Sequence, residues 1–244
     1  MRKSSSSLRQ KLDPSLGRQL WLRRGYTLRE SMHPIILVRH GEAEHNVSDL
    51  NGGWSQTGLT ELGVRQTRAI ARRLSDELRG HSVRLVASDL RRTRETAETI
   101  SEALGVQPEY NAGIREFNNG IAADKTKQDV QEFYVEPHEP LLDWQPYPGS
   151  ETWRIFYRRV TEAMDRLTEG NDRVMVVVTH GGTVVQILSW WLRLTPEQMI
   201  RTSFKCEPTA LTVLKVTELK EHMVERLNDT QHLMELGGYN PISL

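Results

Sequence analysis

Short aliphatic runs alternate along the chain with longer stretches in which apolar residues recur every three or four positions. Ile35-Ile36-Leu37-Val38 is apolar, partly β-branched and ends in Arg-His-Gly, which predicts a buried strand. Leu62, Ile70, Leu74 and Leu78 fall at roughly helical spacing, and Thr60 stands where an N-cap would, so a helix is expected to about Leu78. Val83 to Ala87 predicts a second strand, and Arg91 to Leu104 a helix stopped by Gly105. The stretch 111–150 reads as loop-rich, with Gly113, Gly120, Pro137, Pro140, Pro146, Pro148 and Gly149. Thr152 to Thr168 carries an apolar stripe of Trp153, Phe156, Val160, Met164 and Leu167. Val174 to Val178 is wholly apolar and is expected at the centre of a sheet. Thr183 to Leu192 has almost no polar face and predicts a buried helix, and Thr209 to Val216 alternates enough for a final strand.

Strand–helix alternation of this kind predicts an α/β fold: a three-layer α/β/α sandwich with a mostly parallel central sheet. Ligands of such sheets sit beyond the carboxyl ends of the strands. Two predicted strands end alike, in Val38-Arg39-His40-Gly41 and Thr179-His180-Gly181-Gly182. Each sets a histidine at the strand end and a glycine after it, where a sharp turn or a close ligand approach is allowed. If the two strands are neighbours, both histidines reach one crevice.

The 244 residues suffice for a proper core, and one cysteine, Cys206, rules out an internal disulfide or a multi-cysteine zinc site. No apolar run approaches the ~20 residues of a membrane span, and no apolar segment follows the basic start as in a typical secretory signal. Lys plus Arg equals Asp plus Glu, 32 each, so net charge suggests no nucleic-acid partner. The distribution is uneven: residues 1–30 hold eight Lys and Arg against two acids, leaving 24 against 30 in the rest. Residues 1–32 therefore read as a separate basic, Ser/Arg-rich extension. Three readings of it stay open: a flexible or loosely docked arm, an organelle-targeting segment, or a basic surface arm. Residues 33–244 form the expected domain, in a protein expected in the cytoplasm unless the extension directs it to an organelle. Its oligomeric state is open.

Further blocks join the two His-Gly ends. They are Arg39-His40-Gly41-Glu42, Asn46, Leu59-Thr60-Glu61-Leu62-Gly63-Val64-Arg65-Gln66, and Ser88 to Ala97 with Arg92. After them come Glu116, Pro148-Gly149-Ser150-Glu151, Thr179 to Gly182, and Leu227 to Leu233. In this order the set resembles the histidine phosphatase superfamily, the phosphoglycerate-mutase-like proteins, over about residues 34–236. The resemblance implies a phosphoglycerate-mutase-like fold and a metal-independent phosphomonoesterase without a cofactor, acting on a phosphorylated small molecule through a phosphohistidine. It assigns catalysis to His40, Glu116, His180, Arg39 and Arg92, and substrate binding to Arg39, Asn46, Arg92, His180, Gly181 and Glu151.

Elementary chemistry makes these assignments sensible. A phosphomonoester is nearly dianionic; Arg39 and Arg92 can offer planar N–H forks, and the helix start after His180 favours an anion. Neutral His40 can attack phosphorus if its second ring nitrogen donates to a backbone carbonyl. The leaving oxygen needs a proton from a carboxylic acid kept partly protonated, and Glu116 is the candidate. Each residue has a plainer reading. Arg39-His40 could be a surface turn, Arg92 part of a solvated basic helix face, and Glu116 a surface acid. Asn46 could make a loop turn, and Glu151 could simply open the following helix. His45 does not complete a His-Glu-x-x-His zinc site. Cys206 and Trp153, Trp190 and Trp191 are expected in the core, Trp54 and Trp144 at a pocket mouth.

After Glu116 the text Phe117-Asn118-Asn119-Gly120 departs from both the usual phosphatase stretch and the Glu-Arg-His-Tyr-Gly segment of glycolytic mutases. Residues of about 117–150 are expected to form a cap-like insertion that sets specificity. Two rivals remain: a cofactor-dependent phosphoglycerate-type mutase, and a non-catalytic phospho-ligand-binding protein.

Overall fold

The aliphatic runs become strands and the stripes become helices in the computed structural model, which describes residues 33–236. The basic extension 1–32 lies outside the described residues. In chain order the elements are β1 (Ile35–Arg39), α1 (Glu44–Val47), α2 (Glu61–Glu77), β2 (Val83–Ala87), α3 (Arg91–Leu104), β3 (Pro108–Tyr110) and α4 (Lys127–Val130). They continue with α5 (Trp153–Thr168), β4 (Val174–Thr179), α6 (Gly181–Trp191), α7 (Pro196–Met199), β5 (Leu211–Val216) and β6 (His222–Asp229). The helix ends have local causes. Thr60 Oγ1 accepts from Gly63 N–H at 3.0 Å and starts α2; Thr152 Oγ1 accepts from Ile155 N–H at 3.3 Å and starts α5. Gly105 closes α3 with φ 67°, a left-handed conformation that glycine adopts without a Cβ penalty.

The sheet order is β3-β2-β4-β1-β5-β6. Pairings β3–β2, β2–β4 and β4–β1 are parallel, whereas β5 and β6 add antiparallel to the β1 edge. The α/β reading is therefore correct, but β5 is not the last strand. Both strands absent from the sequence pattern, β3 and β6, are edge strands. β3 has three residues and begins with proline, and β6 carries charges that an edge exposed to water tolerates. The wholly apolar β4 is buried along its length between β2 and β1.

Alternate β1 side chains face opposite layers. Ile35 and Leu37 pack with Phe156, Val160, Val184 and Ile187 from α5 and α6. Ile36 and Val38 pack with Ile70, Leu74, Ala97 and Ile100 from α2 and α3. This is the three-layer sandwich. Segment 117–150 contains α4 and single 3-10 turns at Gly120–Ala122, Gln131–Phe133 and Leu141–Asp143. It docks on the loop before α2: Asn51 N–H donates to Lys125 O at 2.8 Å, and Asp124 N–H to Asn51 O at 3.3 Å. Among the described residues no helix is long and apolar enough to cross a membrane.

Candidate active site

The parallel register pairs Val38 with Val178 and Arg39 with Thr179, so the residues after them, His40 and His180, leave the sheet side by side. Their ring centroids lie 5.3 Å apart in an edge-to-face arrangement, and both side chains are buried. Backbone hydrogen bonds fix the two strand ends: His40 N–H donates to Thr179 O at 2.9 Å, and Thr209 N–H donates to Arg39 O at 3.0 Å.

His40 Nδ1 lies 2.7 Å from Gly41 O, which can only accept, so Nδ1 carries the proton. Nε2 is then the lone-pair nitrogen, and it accepts from Arg92 Nε at 3.2 Å. Burial first, then the charges of Arg92 and Arg39, hold the His40 pKa well below the usual 6.5. Burial and Arg92 do the same to His180. His180 Nε2 lies 2.8 Å from Ser88 Oγ. Leu90 N–H donates to the same oxygen at 3.5 Å; in the tautomer where the Ser88 hydroxyl donates to Nε2, the ring proton sits on Nδ1. His180 Nδ1 and Arg39 Nε are both buried, and among the described residues neither has a hydrogen-bond partner.

Arg92 is 1% exposed. Its Nη1 donates to Ser55 O at 3.0 Å and its Nη2 to Gly53 O at 2.7 Å. The fork that sequence assigns to a phosphate is thus engaged by the loop before α2, and Nε is the group facing His40. Burial lowers the Arg92 pKa to about 10, which leaves it cationic at neutral pH. Arg39 Nη1 donates to Cys206 O at 2.5 Å, and Arg39 lies against Gly181 at the start of α6. Cys206 itself packs at the edge of the core, and burial raises its thiol to about 12.

Glu116 reaches the site from the loop after β3. Its carboxylate accepts from Phe117 N–H at 2.8 Å and from Gly182 N–H at 2.9 Å. A Cβ at position 182 would lie 2.3 Å from Glu116 Oε1, so the second glycine of the Gly-Gly pair makes room for this acid. Its immediate partners are amide donors rather than other acids. Trp54 Nε1 donates to Glu116 O at 2.8 Å, and the Arg115 guanidinium covers the Trp54 ring.

Two proposed ligands have other partners. Asn46 is exposed and its Oδ1 accepts from Ala43 N–H at 3.0 Å, capping α1. Glu151 is buried, with both oxygens paired to Arg159 at 2.7 Å. Trp144 Nε1 donates to Val135 O within the 117–150 segment. Sequence reasoning missed His45, weighed only as a zinc ligand. Its ring lies 5.9 Å from that of His40, and its Nδ1 is 2.8 Å from Thr57 Oγ1. Burial and Arg92 lower its pKa to about 4. Placement on α1, directly after the His-Gly turn, was the available signal. Among the described residues no group of three or more His, Cys, Asp or Glu is arranged to hold a metal ion.

The model of the histidine phosphatase superfamily (branch 1) matches residues 35–230. The chain belongs to this superfamily. Its relatives include a broad-specificity phosphatase of Saccharomyces cerevisiae, 27% identical over 82% of this chain and 86% of that protein. A probable phosphoglycerate mutase of Yersinia enterocolitica is 29% identical over 83% and 95%. Among solved structures, mycobacterial glucosyl-3-phosphoglycerate phosphatase superposes with a TM-score of 0.67 at 24% identity, covering 80% of this chain and 98% of that one. Phosphoserine phosphatase of Entamoeba histolytica, in complex with 3-phosphoglyceric acid, superposes with a TM-score of 0.66 at 21% identity, covering 83% and 100%. The structural likenesses establish the shared fold, and the family match makes the protein a histidine phosphatase.

Proposed function

We propose that this histidine phosphatase hydrolyses small-molecule phosphomonoesters through a phosphohistidine on His40. The observation that carries the reading is the pair of buried, unpartnered nitrogens, Arg39 Nε and His180 Nδ1, beside a neutral imidazole whose Nε2 holds a lone pair; we take His180 as the tautomer that accepts from Ser88 and carries its proton on Nδ1. Buried donors are almost always satisfied, and a phosphoryl group would satisfy both. On binding, Arg92 Nε turns from His40 Nε2 to a phosphoryl oxygen, and its engaged fork keeps the guanidinium in place. His40 Nε2 forms a bond to phosphorus as the ester P–O bond breaks, and Glu116 gives its proton to the leaving oxygen. Glu116 then takes a proton from water, whose oxygen attacks phosphorus and displaces neutral His40. Arginine and imidazole donors stabilise the charge of both transition states.

The substrate class fits the neighbours, since a phosphoserine phosphatase and a glucosyl-3-phosphoglycerate phosphatase share this fold. Segment 117–150 starts beside the pocket, for Phe117 and Asn119 lie against Gly53, whose carbonyl holds Arg92 Nη2, and we assign the segment the role of a specificity cap. A cytoplasmic setting accords with the single cysteine. His40→Ala tests the reading: hydrolysis of p-nitrophenyl phosphate is expected to fall roughly a thousandfold or more, as for a removed covalent nucleophile. Undiminished turnover in the purified variant contradicts it. A relative described as a probable phosphoglycerate mutase keeps one rival in view. Isomerisation of 3-phosphoglycerate, primed by 2,3-bisphosphoglycerate and without free phosphate, would favour that rival.

A further inference from the structure

Glu116 lies in a loop between β3 and α4, outside the sheet and its ladder of hydrogen bonds. Backbone carbonyls in such a loop need other donors, and one side chain serves three of them here. Arg159, projecting from α5, donates through Nη1 to Gly113 O and Arg115 O, each at 3.1 Å. Its Nη2 donates to Glu116 O at 3.0 Å. The same guanidinium is gripped from the other side by Glu151: Nε to Oε1 and Nη2 to Oε2, both 2.7 Å. Glu151 Oε2 also accepts from Asn118 N–H at 3.0 Å. The pair thus binds the main chain on both sides of Glu116. Trp54 closes the arrangement by donating to the same Glu116 carbonyl.

We propose that Arg159, clamped by Glu151, is the positioning residue for the Glu116 general acid. The inference rests on the proposed acid role of Glu116 and adds what holds that acid in place. A largely buried ion pair gains little net stability over apolar packing of the same volume, because both charges lose water. Its distinctive property is geometry. A planar fork with five N–H donors can hold three carbonyls and a carboxylate at once, which a lysine cannot. Proton transfer to a leaving oxygen demands placement within about 0.5 Å, and the Glu116 carboxylate is carried on this anchored main chain. Glu151 is accordingly part of the support and not a substrate ligand.

A merely structural role and a positioning role give different kinetics. p-Nitrophenyl phosphate releases a stable anion and needs little acid help, whereas phenyl phosphate releases a basic oxygen and needs much. Both are assayed as kcat/KM, which reports the step that forms the phosphoenzyme. For Arg159→Met the loss on phenyl phosphate is expected to be about a hundredfold, at the low end of what a general acid contributes. The loss on p-nitrophenyl phosphate is expected to be only a few-fold. Equal losses on the two esters, or none, overturn the inference. Glu116→Gln serves as the benchmark. If that variant shows no such skew, the acid role itself fails; if it does and Arg159→Met does not, only the positioning role fails. Should Arg159→Met not fold, Glu151→Gln removes the grip from the other side and is held to the same two outcomes.

Discussion

At the scale of single residues, burial holds four imidazoles neutral. His40, His180, His45 and His232 are all pushed below the ordinary histidine pKa, in each case first by burial. For His40 this leaves a lone pair ready on Nε2. His232 sits farther back, with Nε2 3.2 Å from Thr209 Oγ1 and Nδ1 3.4 Å from Arg73 Nη1, and its pKa is lowered to about 4. Unfolding frees these rings to bind protons below pH 6.5, so in that window the unfolded state holds more protons than the folded one. Stability therefore rises with pH through the window, is complete above about 6.5, and is lost as pH falls toward 4. His232, 7% exposed, would account for about 3 kcal/mol of that loss at full protonation. Urea denaturation at pH 7.5 and pH 5 should show the protein weaker at pH 5, with a smaller difference in His232→Gln. Equal pH dependence in the two proteins would contradict the assignment. The residues at the strand ends were legible in the sequence because histidine and arginine directly beside an apolar run are costly without a task. Arg159 was not legible, since an arginine on an amphipathic helix looks like any solvated one, and its five hydrogen bonds depend on a loop that only tertiary structure brings near. Asn46 and Glu151 occupy positions that sequence marked, yet the contacts they make are to Ala43, Asn118 and Arg159.

At the scale of elements, the boundaries rest on short-range chemistry and were readable for that reason. Thr60, Gly105 and Thr152 cap where a threonine hydroxyl or a left-handed glycine should. The edge strands β3 and β6 escaped because a three-residue strand has no period, and a charged strand has no continuous apolar run. Helix α2 also has a role toward the site. Gly63, in its first turn, lies so close to the turn after His40 that a Cβ there would stand 2.0 Å from Glu42 O. Gly63→Ala must push that turn away, and overpacking of this kind costs about 1–3 kcal/mol. The expected outcome is a lower denaturation midpoint together with reduced kcat/KM, because the displaced turn carries His40. A variant as stable and active as the parent would show that the contact between α2 and the turn is slack.

At the scale of the whole molecule, a parallel half-sheet brings two histidines to one rim, and an antiparallel extension braces the β1 side. The sequence made the parallel half readable through its apolar runs, while the arrangement of 117–150 was hidden because glycine, proline and single 3-10 turns leave no period to read. The chemistry assigned to the rim depends on a covalent phosphoenzyme. Rapid mixing with a 32P-labelled phosphomonoester, an alkaline quench and peptide mapping tests it most directly. A base-stable, acid-labile phosphoryl group is expected on the peptide containing His40, formed within the first turnover and absent in His40→Ala. Label on another residue, or full turnover with no label trapped at any time, would contradict it.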